Sequence, residues 1–212
     1  MDIARKARHI CIVGQSGTGK TTLGIRYLLN SHHGRIVVAD HEGEFAQRVK
    51  VPLNLTWGTF YDALEKQRIA CLDITEVDAG KSEETFDELC RVTLDLSKTV
   101  FQPHKMETLL VIDELQKYSS SHFVSDGFKT ALETGRKWSL DTLSLSQRPN
   151  GINAAAREQF TEIFFFRMRD MNSHKFGEYF GLSSDKQSDL PDGHYIYMNM
   201  KSGEMRDGQL WT

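Results

Sequence analysis

One run of residues constrains the fold of this chain more than any other. Gly14-Gln15-Ser16-Gly17-Thr18-Gly19-Lys20-Thr21 matches the pattern GxxxxGK(S/T) at every fixed position. A short apolar segment, residues 10–13, precedes it, and a helix-like segment opening at Lys20 follows. Strand, loop and helix in that order form the setting in which such a loop holds nucleotide phosphates. The glycines let backbone N–H groups converge on phosphate oxygens, and the helix N-terminus adds a favourable dipole. Lys20 is expected to reach the β- and γ-phosphates and the Thr21 hydroxyl to ligate Mg²⁺, with Thr22 completing the phosphate-binding stretch.

The rest of the chain has the periodicity that such a loop requires. Short apolar runs at residues 10–13, 36–39, 69–74, 109–112, 143–146, 163–166 and 194–198 read as strands. Helices are expected to begin near Lys20, Phe60, Glu83, Phe123, Ile152 and Ser173. Continuous apolar strands alternating with helices imply an α/β fold with a mostly parallel central sheet covered on both faces. Residues 191–212 read as one or two late strands with turns at Gly193, Gly203 and Gly208. With 212 residues, no repeat and no Pro/Gly-rich linker, the whole span 1–212 is expected to be one domain. Ligands of such sheets sit at the carboxyl ends of the strands.

Several chemically suggestive residues fall at those ends. Leu109-Leu110-Val111-Ile112 runs into Asp113-Glu114, where Asp113 would hold the Mg²⁺ shell and Glu114 would orient the attacking water. Leu143-Ser144-Leu145-Ser146 runs into Gln147, which would report on the γ-phosphate or the lytic water. Asp40-His41-Glu42-Gly43-Glu44 follows the second strand and brings three carboxylates towards the same edge, to tune metal or water. Arg136, after a helix and before the Gln147 strand, would reach a neighbouring subunit's phosphate as an arginine finger. His32, His33 and His41 close no recognisable ligand set.

Composition limits the partners. Formal net charge is −3, so any contact with nucleic acid is expected to be local or shared among subunits. Cys11, Cys71 and Cys90 lack metal spacing and read as buried small hydrophobes in a reducing compartment. No apolar run approaches the roughly 18 residues of a membrane span, and the N-terminus lacks the long apolar region of a secretion signal.

Taken in order, GQSGTGKTT, VVADHEGEF, LLVIDELQ, TGRKWSLDTLSLSQRP and a strand ending in phenylalanines resemble the HerA/FtsK superfamily of DNA-pumping ATPases over residues 10–167. The resemblance implies a RecA-like core in which a further strand lies between the strands carrying Lys20 and Asp113. It also implies ATP and Mg²⁺ as cofactors and a homohexameric ring around double-stranded DNA, bound without sequence preference. HerA and FtsK carry an N-terminal barrel, membrane helices or a winged helix. A chain of this size without them is similar to the genome-packaging ATPases of viruses with internal membranes, those of archaeal turreted icosahedral viruses of Sulfolobus in particular. That likeness implies packaging of a genome into a preformed capsid. It also implies residence in the host cytoplasm or the virion, and docking to a capsid vertex or internal virion membrane proteins.

Alternatives differ in what they need. A HerA-like repair translocase uses the same residues. A small-molecule P-loop kinase fits the length but does not require Glu114, Gln147 and Arg136 together. A subunit that binds ATP without turnover would need no water-activating Glu114. A GTPase would need an NKxD base reader, and an ABC ATPase would need LSGGQ before Asp113; neither occurs. Pore-facing DNA contacts are expected from Lys117 with Tyr118-Ser119-Ser120-Ser121, or from His104-Lys105. Trp211 or Tyr195 is expected to stack on adenine.

Overall fold

The structure, a computed structural model, describes residues 7–78 and 80–211. In chain order its elements are β1 (His9–Val13), α1 (Lys20–Asn30), β2 (Arg35–Asp40), α2 (Glu44–Val49), β3 (Leu53–Asn54), α3 (Trp57–Lys66), β4 (Ile69–Asp73), α4 (Ser82–His104), β5 (Thr108–Ile112), β6 (Ser119–Ser120), β7 (Phe123–Val124), α5 (Asp126–Thr134), β8 (Leu140–Ser146), α6 (Ala154–Arg157), β9 (Glu162–Phe166), α7 (Met171–Tyr179), α8 (Ser184–Ser188), β10 (His194–Asn199) and β11 (Met205–Gln209). Nine strands form one sheet in the order β11-β10-β9-β1-β8-β5-β2-β4-β3. Every pairing from β9 across to β3 is parallel. The two late strands join antiparallel at the other edge. β8 lies between β1 and β5, as the RecA-like reading requires.

Continuous apolar strands arise because both faces of this sheet are covered. Successive residues of one strand enter different cores. Cys11 and Val13 of β1 join Val37, Leu110, Ile112, Phe86 and Phe128 on one face. Ile10 and Ile12 join Val38, Val111, Leu28 and Phe45 on the other. The three cysteines are buried and free, and burial pushes their thiols up.

All seven expected strands are present, with ends within a few residues of those read from the sequence. The helix expected near Phe123 starts later. Phe123 and Val124 pair with Ser119 and Ser120 as a hairpin, and the helix begins at Asp126, where the Ser125 side chain accepts from Phe128 N at 3.1 Å. The cap fixes the boundary because its oxygen satisfies an N–H that the first turn leaves free. Gly208 also departs from expectation. It sits inside β11 opposite Tyr195, whose ring occupies the space a side chain would need. The short α2, α8, β3 and the hairpin carry too few residues to show a period.

Parallel strands bring their carboxyl ends to one edge. Val13 stands beside Ser146, Ala39 beside Ile112, and Asp40 beside Asp73. The loops after β1, β2, β5 and β8 therefore converge.

Candidate nucleotide site

The loop after β1 is pinned on both sides. Gly14 N donates to Ser146 O of β8 at 3.2 Å, and Gln15 N donates to Arg167 O after β9 at 3.0 Å. Gly14 has φ 151°, and a side chain there would place its Cβ 2.6 Å from Cβ of Phe166. Only glycine lets the loop pass so close to β9. Thr18 Oγ1 donates to Gln15 O at 2.8 Å, and Lys20 Nζ donates to the same carbonyl at 3.0 Å, across the loop. Burial lowers the Lys20 pKa, while Glu114, Asp113 and Glu44 oppose that shift.

Asp113 follows β5 directly. Its N–H donates to Ala39 O at 3.0 Å, which fixes it beside the β2 loop. Its carboxyl is pushed up to about 7, first by burial and then by Glu114, Asp40, Glu44 and Glu42. Such crowding of negative charge is what a divalent cation relieves. Among the described residues no group of three or more His, Cys, Asp or Glu forms a metal cage. The donor set suits Mg²⁺, which keeps waters and shares its sphere with one or two protein oxygens and substrate phosphates. Thr21 and Asp113 line the same cleft and are the residues that would hold it.

Glu114 adopts a left-handed backbone, φ 54°. A non-glycine residue in that region carries strain, tolerated where its surroundings hold it. Here both carboxylate oxygens are held: Oε1 accepts from Gln147 Nε2 and Oε2 from Gln116 Nε2. The residues expected as base and sensor are thus in direct contact, although 33 positions apart. The role of Gln116 was missed in the sequence; its spacing two residues after Glu114 was the available signal.

The acidic loop after β2 divides its work. Asp40 is fully buried and its Oδ2 accepts from Ala46 N at 2.8 Å, shaping the entry to α2. Glu42 and Glu44 line the cleft, which also takes in Ser16, Gly17, Gly19, Lys20, Thr21, Thr22, Asp113, Glu114, Gln147 and Trp211, with a volume of about 320 Å³. Arg48 of α2 lines it too, donating to Thr22 Oγ1 and Glu44 Oε1, each at 3.0 Å. No pattern in the sequence marked this arginine. His41 Nδ1 lies 2.8 Å from Tyr118 Oη, and His33 Nε2 lies 3.1 Å from Asp141 Oδ2, so these histidines serve separate local contacts.

The C-terminal segment returns to the loop. Gly193 N donates to Thr18 O at 3.1 Å, Arg26 donates to Leu210 O, and Leu210 side-chain carbons cover Gly19. Trp211 follows at the mouth of the cleft, 54% exposed, whereas Tyr195 is packed between Phe164 and Phe166. Of the two aromatics, Trp211 is the one that lines the cleft.

Three residues stand elsewhere. Arg136 is exposed in the turn before β8, at the end of that strand opposite Gln147. The seven residues of β8 separate the two by roughly 20 Å. His104 and Lys105 close α4 near the start of β5, at that same far edge. Lys117 lies exposed at the nucleotide edge, three residues after Glu114.

A family model described as an AAA domain matches residues 3–147, from before β1 through Gln147. The chain belongs to the AAA domain family of P-loop ATPases. No curated protein sequence matches this AAA-domain chain. Among solved structures, it is similar to the genome packaging NTPase B204 from Sulfolobus turreted icosahedral virus 2 in complex with ATP-gammaS. The TM-score is 0.75 at 18% identity, over 97% of this chain and 98% of that one. B204, the DNA-packaging ATPase from Sulfolobus Turreted Icosahedral Virus, matches with a TM-score of 0.74 at 16% identity, over 97% and 98%. EssC (ATPases 2 and 3) from Geobacillus thermodenitrificans matches with a TM-score of 0.59 at 13% identity, over 91% of this chain and 38% of that one. These are likenesses of fold. Among the described residues no helix is long and apolar enough to cross a membrane.

Proposed function

We propose that this AAA-domain ATPase is a motor subunit that moves double-stranded DNA, and that its cargo is a viral genome driven into a preformed capsid. The observation that carries the reading is the end-to-end match of fold to the B204 packaging NTPases, around a cleft that retains a held base, Glu114. Lys20 and the loop N–H groups bind the triphosphate. Thr21 and Asp113 would hold Mg²⁺, which when bound would supply charge neutralisation for the triphosphate. Glu114 takes a proton from the attacking water as the water oxygen bonds to the γ-phosphorus. The bond to the β–γ bridging oxygen breaks, and the electron pair leaves with ADP. Gln147 holds Glu114 in the geometry for that transfer and senses the γ-phosphate beside it.

Arg136 completes the site in trans. At the far edge of its own sheet, it meets a triphosphate only on a neighbouring copy, which favours a homo-oligomer; the resemblance to HerA/FtsK ATPases suggests that it is a hexameric ring. DNA contact is local, consistent with a net charge of −3, with Lys117 beside Glu114 as the best placed residue. The one-domain reading of residues 1–212 suits such a ring, which would act in the host cytoplasm and on the virion, docked to a capsid vertex or internal membrane proteins.

The test is ATP turnover with and without double-stranded DNA of random sequence. Stimulation that fades as salt rises supports nonspecific phosphate contact; DNA-independent turnover with phosphate transfer to a small molecule supports a kinase instead. Mixing Arg136→Ala with Lys20→Ala subunits should restore turnover at hybrid interfaces. No recovery in assembled rings counts against the finger in trans.

A further inference from the structure

Charge is distributed unevenly about Gln147. On one side lies the nucleotide cleft, where Glu42, Glu44, Asp113 and Glu114 outnumber Lys20 and Arg48. On the other, a larger cleft of about 760 Å³ opens between the loop after β8 and the loop after β9. Ser16 and Gln147 line both, so the two communicate where a γ-phosphate would sit. The second cleft has the opposite chemistry. Arg148 and Arg169 line it, both exposed and neither in an ion pair among the described residues. Its one carboxylate, Asp170, is engaged: Oδ2 accepts from Ser173 N and Oγ, each at 2.9 Å, capping α7. Asn150 and Asn172 add amides. The loops that carry the arginines are tied to the phosphate loop at their roots, through Ser146 O and Arg167 O.

We propose that this second cleft is an inorganic-phosphate site that receives the cleaved γ-phosphate. Resting on the ATPase reading, it follows from the direction of the field. After cleavage the dianion faces ADP and a wall of carboxylates on one side and two unpaired guanidinium groups on the other. Arginine forks match phosphate oxygens in geometry as well as charge. Phosphate therefore leaves past Gln147 towards Arg148 and Arg169, and its departure frees Gln147 and Glu114 for the next water.

Inorganic phosphate titrated calorimetrically into the protein–ADP–Mg²⁺ complex tests the site without turnover. Potassium chloride at equal ionic strength is the control. Losing two charge-assisted contacts in an Arg148→Ala/Arg169→Ala variant should weaken phosphate binding by about tenfold or more. In single-turnover assays, phosphate release should slow more than acid-quenched cleavage. Unchanged phosphate affinity overturns the proposal, as does no binding to the unaltered protein. Cleavage falling as far as release also overturns it, because the arginines would then act on the chemical step. A fall in ATP affinity with phosphate binding intact would assign the cleft to the nucleotide instead. If the protein proves not to hydrolyse ATP at all, the calorimetric arm still decides whether the site exists.

Discussion

Gln147, at the end of β8, donates its side-chain amide to Oε1 of Glu114, at the end of β5. These strands are neighbours, with Ile112 opposite Ser144, so the contact is set by sheet register. In the proposed mechanism, an amide that touches both the base and the γ-phosphate position would couple the presence of substrate to the alignment of the base.

Gln147→Ala should therefore act on turnover more than on binding. The base loses one of its two amide partners and gains freedom, and a misplacement of about 1 Å costs about 10²-fold in rate. Steady-state kinetics should show that fall in kcat with KM for ATP nearly unchanged. A rise in KM with kcat intact would make Gln147 a binding residue only.

Asp113 should make the nucleotide-free protein less stable than it could be. Its folded pKa is raised from 3.8 to about 7, so its contribution is fully present below 3.8 and lost as pH rises through about 7. Asp113→Asn should abolish ATP turnover and raise the metal-free melting temperature at pH 8. At roughly 1.4 kcal/mol per pKa unit and about 2–4 °C per kcal/mol, the gain is on the order of 10 °C. The difference should shrink towards pH 4. Differential scanning calorimetry checks it; equal melting temperatures at pH 8 would remove the crowding argument.

Arg48 is one of two cations lining the nucleotide cleft, and it reaches Thr22 in the first turn of α1. In the proposed binding mode that turn would face the phosphates common to ATP and ADP. Arg48→Ala should weaken both nucleotides by about tenfold, the size of a lost charge-assisted contact, and Arg48→Lys should recover part of it. Equilibrium binding of labelled ATP and ADP measures this. Unchanged affinities would leave Arg48 as a solvated partner of Glu44.

His9 should impose an acid limit on stability. It is buried, with Nε2 3.1 Å from Leu132 O and Nδ1 3.1 Å from Thr142 Oγ1, contacts that neutral imidazole satisfies by donating to the carbonyl and accepting from the hydroxyl. Burial lowers its pKa below 6.5, with Lys201 adding to the shift and Asp141 and the Leu132 carbonyl opposing it. Stability is then full above pH 6.5 and is lost as pH falls towards the lowered value, by at most about 1.4 kcal/mol per pH unit. Subtracting His9→Gln from the parent in urea unfolding between pH 7 and 5 isolates this slope from other titrations. A flat difference would contradict it.

The sheet was legible in the sequence because its longer parallel strands carry short apolar runs, several of which lead directly into polar residues, as Ile112 leads into Asp113 and Ser146 into Gln147. Gly14, Lys20, Asp113, Glu114 and Gln147 were legible for the same reason: parallel strands deliver their ends to one edge, so linear order predicts the meeting. Arg48 and Gln116 were not. Their roles depend on where short elements point a side chain, which no periodicity encodes. Asp40 lies at the expected edge, yet burial and the Ala46 N–H turn it into a cap. Arg136 lies on the strand–helix path foreseen for it, and only the sheet shows that this path ends far from its own cleft.

Glu114 carries the claim that this cleft cleaves ATP, and Glu114→Gln tests it most directly. The substitution preserves size while removing the proton acceptor. Binding of ATP should remain within a few-fold, and turnover should fall by about 10²–10⁴-fold, the contribution typical of a positioned base. Near-normal turnover with Glu114→Gln would contradict the assignment of Glu114 as the base.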